Sequence, residues 1–375
     1  MAGIYIHVPF CTRICNYCDF YKSGNTKLIP AFTKNLLTEI DYRHSFIKDE
    51  VNTIYFGGGT PSVLPFDDIE LIINRLRSTF EINYNTEITI EVNPDDLSLA
   101  YLMQLKSLGI NRLSIGIQSF NNKILKFLNR RHDGDSAQNA ISMAQTAGFD
   151  NISCDLIYGI PGQALESFQS DLNILNDFKI SHLSAYHLGI EDGTHFGRLL
   201  KLGKIANIDE ELSDDFFKLL VNWLAVNGFE QYEVSNFARE QKYSKHNMNY
   251  WFNIPYLGLG PAAHSFDGNN RFYNESNLKE YCNLSESRNF SIVSDNLSQI
   301  DKYNEFVLLR LRTMWGFNLD EIKNMYSESI YNHTLRIFLK FKESDYLRIQ
   351  NRNIYLSKEG FFVSDYVVRE FFIIE

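Results

Sequence analysis

Along the first half of the chain, short apolar runs that end in glycine or polar residues alternate with longer segments whose apolar side chains recur every three or four positions. The short runs predict strands at 4–8, 53–56, 87–92, 112–117, 151–157 and 182–187. The longer segments predict helices at 30–46, where Phe32, Leu36, Leu37 and Ile40 share a face, and at 67–80, 98–108, 136–147 and 165–178. Short strands alternating with amphipathic helices predict an α/β fold with a parallel sheet and crossover helices. Six units make a partial (β/α)6 barrel, short of the closed eightfold form. The polar or glycine-rich residues behind each strand would gather on one rim, where such sheets place their ligand sites.

The pattern changes further along. An amphipathic helix is predicted at 209–227, followed by a loop-like, aromatic-rich stretch at 236–261. Beyond about residue 294, helices at 304–312, 318–326 and 360–372 and a strand at 354–356 predict a small, mostly helical, winged-helix-like domain. The expected organisation is therefore a barrel over 1–235, an aromatic-rich connecting segment over 236–293 and a C-terminal domain over 294–375. The last of these carries no motif that translates into chemistry, and a role in covering the barrel or meeting a recipient protein is the expectation for it. No repeat of fixed period and no low-complexity tail interrupts this plan.

Composition narrows the partners. With 375 residues and 44% hydrophobic content the chain can build a large core and a smaller one. Its net charge of −10 offers no basic footprint for nucleic acid or an anionic lipid surface, and no apolar run approaches a membrane span. A soluble cytoplasmic protein without a secretory leader is expected, able at most to dock peripherally on a membrane enzyme. The 29 Phe and 21 Tyr would serve a core and would also suit a flat aromatic ligand.

The sharpest chemistry sits in HVPFCTRICNYCDF, where Cys11, Cys15 and Cys18 are spaced C-x3-C-x2-C directly after the first strand. Three thiolates on one loop can hold three irons of a cubane cluster and leave the fourth iron open to a second molecule. Other readings remain: a Cys15–Cys18 redox dithiol, which leaves Cys11 without a role, or a zinc site completed by His7 or Asp19, for which no second ligand pair is present. Structural disulfides fit poorly with five cysteines and no leader. Cys154 and Cys282 read as free buried thiols.

A second ligand site is suggested on the same rim. YFGGGTPS places Gly58, Gly59 and Thr60 behind a strand, where glycine lets backbone amides approach a charged group. Glu91 in EVNP, Gln118 in SIGIQSF and Asp155 in CDLIYGIPG fall at or near strand ends, with Arg130 in the following FLNRR. Each alone reads as a buried polar residue or a solvated charge. Together they offer carboxylates, an amide and a guanidinium, which suit ribose hydroxyls, an amino group and a carboxylate.

The ordered set HVPFCTRICNYC, GGGTPS, EVNP, GINRLSIGIQSF and DLIYGIPGQ resembles the radical S-adenosylmethionine (SAM) proteins related to oxygen-independent coproporphyrinogen III oxidase, over essentially the whole chain. That resemblance implies a partial (β/α)6 barrel, a [4Fe-4S] cluster on Cys11, Cys15 and Cys18, and SAM chelated to the open iron. It further implies a SAM pocket lined by Tyr5, Tyr17, Gly58, Gly59, Thr60, Glu91, Gln118, Arg130 and Asp155, and an electron donor for the cluster.

Two departures separate the chain from the oxidases of that family. They carry a further cysteine two positions after the third ligand, where Phe20 stands here, and an N-terminal extension before the motif. In their place His246, Asn247, Tyr250 and Trp251, in HNMNYW, resemble the HNxxYW signature of the HemW branch, whose members are heme chaperones. That likeness implies heme as cargo and a heme-accepting respiratory protein as partner, with no coproporphyrinogen oxidation expected. A neutral imidazole can ligate heme iron, and His246 and His264, in GPAAHSF, are both candidates. The competing expectation is an anaerobic radical SAM oxidase or another tetrapyrrole-modifying enzyme.

Overall fold

The computed structural model describes residues 1–283 and 290–374; residues 284–289, inside the segment read as connecting, lie outside this description. Six parallel strands, β1 (Ala2–Val8), β2 (Val51–Gly58), β3 (Ile82–Val92), β4 (Arg112–Gln118), β5 (Ile152–Tyr158) and β6 (His182–His187), lie side by side in sequence order. Between them run α1 (Ile29–Tyr42), α2 (Phe66–Thr79), α3 (Leu99–Ser107), α4 (Asn122–Phe127), α5 (Gly134–Thr146) and α6 (Leu165–Asp177). Side-chain caps fix where several helices begin: Ser98, Asn121 and Asp133 each accept a backbone N–H of the first turn. After β6 come α7 (His195–Lys201) and α8 (Glu210–Val226), the latter capped by Asp209.

The two faces of the parallel sheet differ in chemistry. Ile4, Ile6, Val8, Ile54, Phe56, Ile88, Ile90, Leu113 and Ile115 alternate along their strands and are buried in the main apolar core with the helices. The intervening positions, among them Tyr55, Glu91, Arg112, Ser114, Asp155 and Ser184, face inward and line a cavity. An enclosed parallel sheet ordinarily reads as apolar on both faces. Here a polar inner face marks the ligand side.

The aromatic stretch behind α8 is more ordered than its composition suggests. It contributes β7 (Glu230–Gln231), β8 (Asn236–Ala238), α9 (Lys245–Trp251) and β9 (Tyr256–Leu259), followed by β10 (His264–Phe266), β11 (Arg271–Asn274) and β12 (Ile292–Asp295). β9 pairs parallel with β1, while β8 pairs antiparallel with β6, so both flanks of the six-stranded sheet are extended. The resulting sheet has 12 strands among the described residues, in the order β12-β11-β10-β9-β1-β2-β3-β4-β5-β6-β8-β7. The loop expected at 236–261 is thus replaced by strand, helix and strand. Segments of three to seven residues carry too little periodicity to declare themselves, and β9 exists because β1 offers it an unpaired edge.

Residues beyond 298 form a second apolar core around Tyr303, Phe306, Phe317, Ile354, Val368 and Phe371. Its helices Gln299–Leu311, Leu319–Met325 and Glu328–Phe341 surround a three-stranded antiparallel sheet made of Phe317–Asn318, Leu347–Gln350 and Asn353–Leu356. The helix expected at 360–372 is two, Lys358–Phe362 and Ser364–Phe371, broken at Val363. Backbone hydrogen bonds from Val234 to Arg312 (3.1 Å) and from Met314 to Tyr232 (3.0 Å) join this unit to the end of the barrel.

Candidate functional site

The loop behind β1 carries the three cysteines and is held from both ends. His7 anchors its far end through Nε2 to the Tyr21 carbonyl (2.9 Å), and the Asn129 side-chain amide donates to the Ile14 carbonyl (2.7 Å) in its middle. The Asn16 side chain donates to the Phe127 carbonyl at 2.8 Å. The loop is therefore shaped by β1 and α4 together. Cys11, Cys15 and Cys18 line one wall of a cavity of about 380 Å³.

Strand ends supply the other walls. Gly58, Gly59 and Thr60 line it from β2, Glu91 and Asn93 from β3, Gln118 from β4, Asp155 from β5, and Arg130 from the turn behind α4. Gly58 has φ of +107°, and a Cβ there would lie 2.7 Å from the His7 ring, so packing against β1 already demands glycine. Gln118 holds φ of +66°, turned by a register irregularity between β4 and β5. Buried Asp171 braces that turn, accepting the Ser119 hydroxyl (2.7 Å) and the Phe120 amide (2.9 Å).

Arg130 connects the two halves of the cavity. One Nη lies 3.4 Å from the Cys15 sulfur, and the other donates to Asn93 Oδ1 (2.6 Å) and the Gly116 carbonyl (2.7 Å). Burial works against its charge, but Tyr17 and Cys15 more than offset this and hold its pKa above the usual value. Thr60 Oγ1 lies 3.5 Å from the Cys11 sulfur. Burial raises the Cys11 and Cys18 thiols, so deprotonation there calls for a compensating positive charge such as a bound metal. Burial and the neighbouring Asp155 push Glu91 up to about 7, against the Tyr55 hydroxyl that donates to it at 2.8 Å.

Of the residues singled out from sequence, the cysteines, Tyr17, Gly58, Gly59, Thr60, Glu91, Gln118, Arg130, Asp155 and Asn247 all line this one cavity. Tyr5 lies beyond its wall, its ring stacked on Tyr55 with centroids 6.2 Å apart. His246 is elsewhere in a stricter sense. It is 1% exposed, with Nδ1 2.9 Å from the Thr53 hydroxyl and Nε2 2.9 Å from the Tyr250 hydroxyl. Its ring stacks on Tyr55 at 5.1 Å, and burial, with Arg112 nearby, drives its pKa down to about 3. Both nitrogens are committed to the protein. Trp251 is half-buried, and His264 stands exposed on β10 with its ring 5.6 Å from that of Tyr273.

Arg112 was not singled out from the sequence. It is 2% exposed, faces the cavity and leaves Nε without a hydrogen bond among the described residues. A charged residue opening an otherwise apolar strand was the available signal, since burying a guanidinium is costly unless it meets acids or a ligand. Here the nearby acids are Glu91 and Asp155, on the two strands that flank its own.

The donor set fits an iron–sulfur cluster with a zwitterionic ligand: three thiols, a guanidinium, an amide and carboxylates line one cavity. Among the described residues no three His, Cys, Asp or Glu side chains converge on a single metal ion.

The radical SAM superfamily profile matches residues 5–175 of the chain. Coproporphyrinogen III oxidase HemN of Escherichia coli, described as a radical SAM enzyme, superposes with a TM-score of 0.86 over 99% of this chain and 89% of its own. At 24% identity that is a likeness of fold. Proteins named heme chaperone HemW from Lactococcus lactis and Bacillus subtilis are 32% and 29% identical, over 98% and 96% of this chain and 97% and 96% of theirs. The chain belongs to the HemW family.

Proposed function

We propose that the protein is a heme chaperone that binds heme beside a [4Fe-4S] cluster and SAM and delivers the heme to a respiratory acceptor. The observation that carries this reading is the near full-length similarity to proteins named heme chaperones. Phe20, standing where oxidases of the wider family have a further cysteine, supports a chaperone over a coproporphyrinogen oxidase.

In this reading Cys11, Cys15 and Cys18 hold the cluster. When bound, it supplies one-electron chemistry and an iron position open to a second ligand. Arg130 and Gln118 bind the carboxylate of SAM, Asp155 and Glu91 take its amino and hydroxyl groups, and Gly58, Gly59 and Thr60 let it approach the β2 backbone. Tyr5 and Tyr17 pack the walls. The barrel covers over 1–235, the connecting segment over 236–293 supplies the HNMNYW helix, and the unit over 294–375 is the C-terminal domain. Among the described residues no helix is long and apolar enough to cross a membrane, which accords with a cytoplasmic site of action.

The test is anaerobic reconstitution with iron and sulfide, followed by heme titration with SAM present or absent. Stoichiometric heme binding with transfer to an apo-acceptor is expected. Failure to bind heme, or conversion of coproporphyrinogen III propionates to vinyl groups under a reductant, would overturn the chaperone reading.

A further inference from the structure

No helix or strand forms between Cys11 and Lys22, so the cysteine loop owes its shape to individual contacts rather than to a ladder of backbone hydrogen bonds. Two such contacts close its base. The Cys11 amide donates to the Ser23 carbonyl (3.0 Å) and the Ser23 amide to the Pro9 carbonyl (2.6 Å), which returns Lys22 to the side of the third cysteine. There the Lys22 ammonium donates to the Cys18 carbonyl at 2.6 Å and to the Phe20 carbonyl at 3.0 Å. Neither carbonyl accepts a backbone N–H among the described residues. One side chain thus supplies the hydrogen bonds that the backbone of this turn lacks.

Lys22 also lines the cavity that the three cysteines share. Both of its recorded polar partners are neutral carbonyls, and Asp19, the carboxylate next to Cys18 in the chain, is exposed and makes no recorded bond to it, so nothing bonded to the ammonium cancels its charge. Arg130 reaches the Cys15 sulfur at 3.4 Å but is tied as well to Asn93 and Gly116. Lys22 is the cation bonded at the third cysteine. A fixed positive charge beside an iron–sulfur group favours its electron-rich form, because an added electron is attracted to it.

From this arrangement we propose that Lys22 is a positioning residue for the iron–sulfur cluster: its hydrogen bonds hold the turn that carries Cys18, and its charge raises the reduction potential of the group the cysteines bind. This rests on the cluster reading above. The two effects separate by chemistry, since an amide at this position keeps a donor for the carbonyls and removes the charge.

The experiment is anaerobic reconstitution of the full chain with iron and sulfide, followed by a potentiometric titration read by electron paramagnetic resonance and by the timed loss of iron to a chelator, for the wild type, Lys22→Met, Lys22→Gln and Lys22→Arg. Lys22→Met is expected to lose iron about fivefold faster and to be reduced at a more negative potential. Lys22→Gln is expected to recover retention while keeping the negative shift, and Lys22→Arg to restore the potential. A wild-type potential in Lys22→Met or Lys22→Gln overturns the proposal, because packing alone would alter retention and leave the potential in place. Wild-type retention in Lys22→Met overturns it too. Should neither neutral variant take up a cluster, Lys22→Arg decides: a recovered cluster sustains the proposal and an empty site overturns it. If the wild type itself assembles no cluster, the cluster reading fails first.

Discussion

The cysteine loop and the HNMNYW helix are the two segments that chemistry-bearing motifs mark in this chain, and the fold treats them in opposite ways. The loop presents Cys11, Cys15 and Cys18 to a cavity, beside the polar ends of five strands. The helix turns His246 inward, between Thr53 and Tyr250 and against the ring of Tyr55, and only Asn247 reaches the cavity. A motif therefore announces that residue types matter together, but whether they meet a ligand or one another is a property of packing. One region is built for exchange with ligands, the other for closure.

The largest effect that would break this contrast lies at the loop. Cys15→Ala is expected to reduce bound iron and sulfide to background after reconstitution, while the apo-protein unfolds in urea within about 1 kcal/mol of the wild type, because Cys15 is outside both apolar cores. A variant that retains full cluster content contradicts the cluster assignment. At the helix the expectation reverses. His246→Ala removes a buried, doubly bonded ring and is expected to cost about 3 kcal/mol in urea unfolding with little change in iron content. Unchanged stability would show that the ring is not the packing element described here.

The two regions also give stability opposite dependences on pH. The folded pKa of His246, about 3, lies below its ordinary 6.5, so its contribution is present above pH 6.5 and is lost as pH falls toward 3. The folded pKa of Glu91, about 7, lies above its ordinary 4.5, so its contribution is present below pH 4.5 and is lost as pH rises through 7. Between pH 4.5 and 6.5 the wild type carries both slopes. Glu91→Gln is expected to leave a rise of stability with pH of about 2 kcal/mol across that window, and His246→Ala a fall of about the same size. Parallel profiles for the two variants would show that neither group titrates as described.

The smallest effect sharpens the helix itself. The Ser244 hydroxyl accepts the Asn247 amide at 3.4 Å and caps α9. Ser244→Ala is expected to cost about 1 kcal/mol in thermal or urea unfolding and to leave cluster content unchanged. A loss of iron in this variant would mean that α9 positions the cavity through Asn247 and is more than a support.

Much of the architecture was legible because its signals are local. Six apolar runs and the helices between them have the periods of strand and helix, and a chain that alternates them has few ways to bury both. The cavity residues were legible for a related reason: β-strands in one parallel sheet bring their carboxyl ends to one rim, so Glu91, Gln118 and Asp155 meet there whatever lies between them in the chain. Arg112 escaped notice because it opens its strand, and only the sheet register turns it toward that same cavity.

The amino-acid order alone determined the strand–helix alternation, the C-x3-C-x2-C loop and the glycine run, because each depends on periods and conformational needs that span a few residues. Tertiary structure decided the rest. It made 256–259 a sheet strand by offering the free edge of β1, and it closed Thr53 and Tyr250 around His246. Burial and hydrogen-bond partners are long-range quantities, and an imidazole's chemistry follows from them more than from its neighbours in the chain.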